Sequence, residues 1–185
     1  MRSFYSAPHM RPPMCLQYAI WTMAANGHPK YGQYHDVFYQ RTRQYLEADE
    51  LKVCLTSYAQ LTLLIHPCQG FGEHFITVAH AQAWALTATN EARCMYFTRA
   101  AMSSARCARL VHMMGLHRLD DPCEADNPIA PTLAPPKSWT ELEERRRVFW
   151  GVFCINAHAS ISTGWPTLIN IDEVGSSSNV DRRDD

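Results

Sequence analysis

The strongest constraint in the sequence is a stretch near its end that carries both a helix start and a helix stop. Ser138 with Glu141 fits a capping box, in which a hydroxyl and a carboxylate satisfy the first backbone N–H groups of a helix. Thr140 with Glu143 fits the same motif. Gly164 is typical of a helix end, and the proline two residues later cannot continue the helix. The residues between these signals therefore predict one long helix.

Inside that helix, residues 143–155 read EERRRVFWGVFCI. Three successive arginines on a helix fan through about 200°, so they cannot form one phosphate clamp. At least one must face the protein and needs an acidic partner, because burying an unpaired guanidinium is costly. Acids on the same helix could supply that partner, or Glu91 or Asp120 could supply it from a neighbouring segment. The acids on the same helix are Glu141, Glu143 and Glu144. The residues that share one side of the helix are Leu142, Arg146, Phe149, Val152, Phe153, Asn156 and Ala159.

The rest of the chain is also dominated by helical spacing. Further helices are predicted over 14–25, over 33–48, from 75 onward with Thr77 as a cap, and over 91–114. Residues 52–70 predict either a strand or a short buried helix. Five prolines in 119–137 exclude regular structure there. We therefore expect an all-α fold, an irregular bundle of about five helices with a Pro-rich loop before the last one.

The segment 91–114 predicts a helix with one apolar face, and Gly115 is well placed to end it. That face comprises Phe97, Ala101, Ala105, Ala108, Val111 and Met114. Around the helical domain, which we place at 14–172, the residues 1–13 predict a flexible segment and 173–185 a disordered tail. The larger aromatic side chains could line a pocket, but core packing is the favoured role. These are Trp84, Tyr96, Phe97, Trp150, Phe153 and Trp165.

Composition excludes several classes of protein. With 46% hydrophobic and 19% charged residues, the 185-residue chain is typical of one globular domain. A net charge of −1 does not suit a domain that binds nucleic-acid phosphates. No apolar run approaches ~18 residues, so no membrane span is expected. Seven scattered cysteines without a C-x-x-C pair favour a reducing, intracellular compartment.

Two patterns resemble metal-binding motifs, but the position of the residues in the chain argues against both. Asp120, Asp121 and Glu124 spell D-D-x-x-E, which is typical of magnesium–diphosphate sites, but the neighbouring prolines place it in a loop. Cys107, His112 and the later His117 are five residues apart, so successive members point about 140° apart on a helix and cannot converge on one ion. No catalytic, cofactor-binding or metal-binding residue is therefore expected in this chain.

Two stretches, 92–120 and 141–169, together resemble the regulatory "middle homology" domain of fungal transcription factors with a six-cysteine binuclear zinc cluster. In that family a helix ends in G-L-H-R, a Pro-rich spacer follows, and E-x-R-R-R-x-F/L-W precedes a D-R pair and a G-R-P. The phrase SISTGWP resembles the xylanolytic and sugar-regulator branch most closely. The matching residues are Gly115, Leu116, His117, Arg118, Glu143, Arg145, Arg146, Arg147, Phe149, Trp150, Gly164 and Pro166.

The chain departs from the family pattern in three places. The family's Asp-Arg pair falls on Asn156-Ala157, and the middle of its G-R-P falls on Trp165. Residues 53–69 look like an insertion. The codons of Val53 begin with GT and those of Gln69 include CAG, which fits an intron retained in a gene prediction. Transcript reads that contain 53–69 in the mature message would refute this hypothesis.

The resemblance implies a non-catalytic regulatory domain of a nuclear transcription factor. It would modulate transcription of target genes in response to a sugar, another metabolite or a regulatory protein. The zinc cluster that binds DNA is not in these residues, so zinc and direct nucleic-acid contact are expected only from that module. Its partners would include the other parts of the parent protein. Since the family's domain usually extends further than this chain, we expect the domain to be incomplete.

Two alternatives stay open. One is a helical protein-interaction scaffold without a ligand. The other, with less support in the residues, is a magnesium-dependent isoprenoid-type enzyme that would use Asp120, Asp121 and Glu124.

Overall fold

The computed structural model describes residues 11–61, 76–120 and 133–170, and of residues 52–61 it describes the backbone alone. The prediction of an all-α fold is confirmed, because these residues contain helices and no strand. Residues 121–132 of the Pro-rich segment lie outside the described residues. The helices are α1 (Met14–Ala25), α2 (His35–Leu61), α3 (Val78–Arg93), α4 (Phe97–Met113) and α5 (Trp139–Thr163).

Helices α1 and α2 pack against each other through aromatic rings and small hydroxyls. The rings of Tyr18 and Tyr45 stack with centroids 5.5 Å apart, and the hydroxyls of Thr22 and Thr42 lie 3.3 Å apart. Helix α2 continues well beyond the predicted 33–48. Of the two interpretations of residues 52–70, the helix is therefore correct as far as Leu61, and 62–75 lie outside the described residues.

Helix α3 begins as predicted, because the side chain of Thr77 accepts a hydrogen bond from the His80 N–H at 3.3 Å. The helix predicted over 91–114 is wrong at its start. Met95 has φ 62°, and the N–H of Tyr96 donates back to the Glu91 carbonyl at 2.8 Å. This arrangement ends α3 in a Schellman motif. Glycine usually occupies its left-handed position, so a methionine there gave no signal in the sequence.

Met95 adopts a left-handed backbone conformation in this turn, which is unfavourable for a residue with a side chain. A substitution by glycine tests this assignment. Met95→Gly is expected to raise the free energy of unfolding by about 1 kcal/mol, because a left-handed backbone costs an L-residue about 1–2 kcal/mol and glycine loses some of that gain in chain entropy. The side chain is 71% exposed, so little packing is lost. Urea denaturation measures the change. The control, Met102→Gly on an exposed helical position of α4, is expected to lose about 1 kcal/mol, and a loss at both positions would contradict the assignment.

The predicted apolar face of α4 is only partly correct. Ala108, Val111 and Met114 are buried, but Phe97 is half exposed. The interface also contains serine residues, which an apolar pattern does not include, and Ser103 donates to the Glu91 carboxylate at 2.6 Å. The residues of α4 that are buried are Ala100, Ser103, Ser104, Cys107, Ala108, Leu110 and Val111.

Helix α5 begins and ends at the predicted residues. The Ser138 side chain accepts from the Glu141 N–H at 3.2 Å, so the first of the two capping alternatives is correct. The Glu141 carboxylate accepts from the Lys137 N–H at 2.9 Å, one residue earlier than in a standard capping box. Gly164 ends the helix with φ 74°.

The side of α5 predicted from the sequence and the buried stripe share Phe149, Val152 and Asn156. The other members of the predicted side, Arg146 among them, are partly buried, whereas Arg145 lies in the buried stripe. The spacing of four, three and four residues defines a face narrower than the one assumed from the sequence, and it passes through Arg145. The buried residues of the stripe are Arg145, Phe149, Val152 and Asn156.

The core lies around α3, which contacts each of the other four helices. Trp84 on α3, Leu46 on α2 and Val111 on α4 are fully enclosed there. Ile169, which follows α5, returns to the same cluster. Among the described residues, no helix is both long and apolar enough to cross a membrane.

Candidate functional site

Two arginines of the α5 triplet are held by acids on their own helix. Arg145 donates from Nη2 to Glu141 Oε1 at 2.7 Å, and its side chain is only 8% exposed. Arg147 donates from Nε to Glu143 Oε1 at 2.8 Å, and its side chain is 77% exposed. The hydrogen bond from the Lys137 backbone and then that from Arg145 lower the pKa of Glu141. The charge of both arginines is therefore matched locally, on opposite sides of the helix.

Arg146 instead reaches outside its helix. Its Nε donates to the two carboxylate oxygens of Asp120 at 2.9 and 3.1 Å, and its Nη2 donates to Oδ1 of the same acid. The hydrogen bond to Asp120 raises the pKa of Arg146. Of the two acids considered from neighbouring segments, Asp120 pairs with the triplet and Glu91 does not. Asp120 is thus part of an ion pair, while Asp121 and Glu124 lie outside the described residues.

The segment Gly115-Leu116-His117-Arg118 brings Asp120 to this position. Gly115 has φ 70° and ends α4, as predicted. Leu116 is buried in the core and begins a 3-10 turn that extends to Arg118, which is exposed. The ring of His117 lies beside that of His112, with centroids 5.1 Å apart. The ion pair between Asp120 and Arg146 therefore joins the first family segment to the second one, in addition to the packing of α4 against α5.

The end of α5 is fixed by a buried amide. Asn156 stands where the family has aspartate, and its Oδ1 accepts a hydrogen bond from the Leu168 N–H at 2.8 Å. The residues Gly164, Trp165 and Pro166 form the exposed corner between these two points. Since a neutral side chain makes this contact, Asn156 provides no charge for the arginine triplet.

The aromatic residues divide into two groups. The favoured core role is correct for Trp84, which is buried, and Phe153 is partly buried. The prediction is wrong for the others, because they are about half exposed. Phe149 is buried and its neighbour Trp150 packs edge-on against it on the outside. The exposed aromatic residues of the set are Tyr96, Phe97, Trp150 and Trp165.

Two apolar grooves run along α5. The larger one, ≈670 Å³, lies between α5 and the helices α1 and α3. Leu86, Val148 and Val152 contribute to its floor, and Glu144 and Arg147 lie at its rim. The second groove, ≈420 Å³, lies on the other side, between α5 and the helices α3 and α4. Apolar floors with a few charged groups at the edge suit a ligand with a large apolar part.

A buried acid that the sequence did not assign links α2, α3 and α4. Glu91 is fully buried, and its carboxylate accepts from the hydroxyls of Tyr39 and Ser103, each at 2.6 Å. Arg43 lies 3.3 Å from the same carboxylate and pairs with Glu47 at 2.7 Å. Burial, followed by the hydrogen bond to Glu91, raises the pKa of Tyr39 to about 12. This network is a structural junction between helices rather than an acid exposed to substrate.

The cysteine and histidine residues considered for metal binding do not form a common site. Cys107 points at α3, where its thiol donates to the Ala81 carbonyl at 3.1 Å, and burial raises its pKa to about 12. Three other side chains that could bind a metal do lie close together, although their positions in the sequence did not indicate this. Cys15, Asp49 and His80 come from three different helices, and their ligand atoms all lie within 4.8 Å of one another.

Because Arg145 is buried and Arg147 is exposed, their replacement is expected to change the free energy of unfolding by different amounts. Arg145→Ala is expected to lower the free energy of unfolding by about 1–2 kcal/mol, because it removes a packed side chain and a charge-assisted hydrogen bond. Arg147→Ala is expected to change it by less than about 0.5 kcal/mol. Urea denaturation at neutral pH measures both. Equal losses would mean that the triplet acts as one charged surface.

Comparison with known proteins gives a consistent result. The family model for the "Fungal specific transcription factor domain" matches residues 7–177. The "Citrinin biosynthesis transcriptional activator mrl3" of Monascus ruber is 32% identical over 156 residues, which cover 84% of this chain and 26% of that protein. The "Pigment biosynthesis transcriptional activator pigB" of Monascus ruber is 29% identical over 157 residues, which cover 85% and 25%. No solved structure matches the chain significantly.

These comparisons cover most of this chain and a minor part of its relatives. A third relative, the "Citrinin biosynthesis transcriptional activator ctnR" of Monascus purpureus, is 32% identical over 156 residues, 84% of this chain and 23% of that protein. The chain thus spans about a quarter of the length of the curated relatives it matches. They are transcription factors and not enzymes. The chain belongs to the fungal-specific transcription factor domain family.

Proposed function

We propose that this chain is a regulatory domain through which a fungal transcription activator is restrained or licensed at a set of biosynthetic genes. The match over residues 7–177 and the names of the citrinin and pigment activators support this proposal. The parent protein would act in the nucleus and contact DNA through a zinc-cluster module outside these residues. The zinc of that cluster would belong to that module, and the domain would act by contacting the other parts of the parent.

The groove between α1, α3 and α5 is where a regulatory small molecule would bind. Its ≈670 Å³ falls within the ~300–1,000 Å³ typical of small-molecule sites. The lining is mostly aliphatic, with Gln82 and Glu144 among the few polar groups. A sugar needs a dense set of hydrogen-bonding partners, so we propose a metabolite with a large apolar part instead. Binding there would favour one packing of α5 against α1 and α3.

A reporter assay tests the regulatory role. The full chain is placed between a heterologous DNA-binding domain and an activation domain, and transcription of a reporter gene is compared with that from a flexible linker of equal length. We expect a several-fold change at equal protein level. Arg145→Ala, which weakens α5, is expected to shift the output towards that of the linker. Identical output from the chain and the linker would contradict the proposal.

A thermal-shift experiment tests the ligand. Citrinin serves as the largely apolar probe and xylose as the sugar probe, and a ligand that binds the folded state raises the unfolding midpoint. Gly151→Leu is the blocking variant, because a Cβ at this groove position meets nothing within 4 Å and leucine is a good helix former. Cys154→Leu, at an exposed position outside this groove, is the matched control.

We expect citrinin to raise the midpoint of the wild-type chain and of Cys154→Leu, and to have no effect on Gly151→Leu. A shift with xylose alone would support a sugar response instead. The absence of any shift, together with reporter output that depends on co-expressed protein, would favour the helical scaffold without a ligand.

A further inference from the structure

Three potential metal ligands meet where α1, α2 and α3 come together. Cys15 lies in the first turn of α1, Asp49 within α2 and His80 in the first turn of α3. The sulphur, a carboxylate oxygen and an imidazole nitrogen all lie within 4.8 Å of one another. His80 Nε2 and Asp49 Oδ2 are 3.2 Å apart. We propose that these three side chains form a zinc site that ties the three helices together.

The distances suit a tetrahedral ion after a small adjustment. Zinc binds thiolate sulphur at about 2.3 Å and imidazole nitrogen at about 2.0 Å, so ligand atoms around it are about 3.4–3.6 Å apart. The His80–Asp49 pair, at 3.2 Å, lies a little below this range. Rotation of the Asp49 carboxylate or the Cys15 side chain would bring the remaining pairs from up to 4.8 Å into range.

A further hydrogen bond orients the imidazole towards this site. The Nδ1 atom of His80 lies 2.8 Å from the Thr77 hydroxyl, which leaves Nε2 facing Asp49 and Cys15. Zinc-binding histidines commonly use one nitrogen for the ion and the other for such a partner. Thr77 is itself fixed as the cap of α3. The ring is therefore held in place before an ion arrives.

One side of the site is buried and the other is open. Cys15 is fully buried, and its sulphur lies within 4.8 Å of a carboxylate oxygen of Asp49. The side chain of Asp49 is 26% exposed, which gives an ion a way in and leaves room for water as the fourth ligand.

This inference departs from the sequence-based expectation that the chain carries no metal site. Successive ligands are separated by more than thirty positions in the sequence. The ligand spacings of the usual zinc modules are much shorter, so they did not indicate this site. The site would also be separate from the zinc cluster of a DNA-binding module, since it lies inside the helical domain. Its role would be to fix how α1, α2 and α3 are packed.

Cobalt titration of the full 185-residue chain, after removal of metals with a chelator, tests the site. We expect one equivalent of Co²⁺ to produce tetrahedral absorption together with a thiolate-to-cobalt charge-transfer band. Zn²⁺ should displace it and raise the unfolding midpoint. Cys15→Ser should abolish the charge-transfer band. The matched control is Cys107→Ser, an equally buried cysteine that donates to a backbone carbonyl and should leave the band unchanged.

Because Cys15 is deeply buried, a second variant keeps the test decisive if Cys15→Ser fails to fold. Asp49→Asn changes a partly exposed side chain, and it should weaken Co²⁺ binding at least tenfold with the circular dichroism of the folded chain retained. The proposal would be overturned by the absence of stoichiometric Co²⁺ uptake or by an unchanged Co²⁺ affinity in folded Asp49→Asn. A charge-transfer band that persists in folded Cys15→Ser would overturn it equally.

Discussion

Trp84→Ala is expected to lower the free energy of unfolding by about 3–5 kcal/mol. Trp84 is 1% exposed and contacts the core from the middle of α3. The guanidinium groups of Arg43 on α2 and Arg106 on α4 lie 5.5 and 4.7 Å from its ring centroid. Truncation would therefore leave a large cavity and remove two cation–π contacts. Such a loss is a large part of the ~5–15 kcal/mol that stabilises a typical domain.

The control for this change is a tryptophan on the surface. Trp139 is 71% exposed at the start of α5, so Trp139→Ala should alter the free energy of unfolding by less than about 0.5 kcal/mol. Guanidinium denaturation followed by circular dichroism compares both variants with the wild type. A small effect of Trp84→Ala would mean that α3 is not at the centre of the fold.

Glu91→Ala is expected to have the second largest effect, a loss of about 3 kcal/mol. Removing one partner of a buried ion pair typically costs about 3–5 kcal/mol, and the lower end applies because Arg43 is 28% exposed and retains some contact with water. The hydroxyls of Tyr39 and Ser103 would also lose their acceptor. Urea denaturation at neutral pH measures the change.

The matched control for Glu91→Ala is a change in the second acid that contacts Arg43. Its other acid, Glu47, is 52% exposed, so Glu47→Ala should cost only about 0.2–1 kcal/mol. Glu91→Gln keeps the shape and one oxygen acceptor and should fall between the two alanine variants. If Glu47→Ala were as damaging as Glu91→Ala, the surface pair and not the buried carboxylate would hold the junction.

Local signals made α5 predictable from the sequence. Ser138 and Gly164 act through their own chemistry at the two helix ends, so no knowledge of the remaining fold is needed. Two helices were predicted in this region, but the start of the second one was placed too early. Met95 takes a backbone conformation that the sequence usually marks with glycine, so nothing local indicated the break between α3 and α4.

For the arginine triplet, helix geometry predicted part of the arrangement and left part of it open. Helix geometry alone showed that Arg145, Arg146 and Arg147 could not share one target, and the shortest contact of each is to a different acid. It could not decide which one would be buried, since a shift of one residue rotates the face by about 100°. Nor could any spacing rule bring together Cys15 and His80, because their meeting depends on how three helices pack.

The ion pair between Asp120 and Arg146 has a consequence for how relatives of this chain can diverge. Leu119 and Leu133, which precede and follow residues 121–132, both pack against the core, and Asp120 is tied to α5. Both anchor points are therefore fixed independently of the intervening residues. The ion pair to Arg146 and the packing of Leu133 are formed by the anchor residues themselves. Relatives of this chain could therefore differ in the residues between the two anchors and keep both contacts.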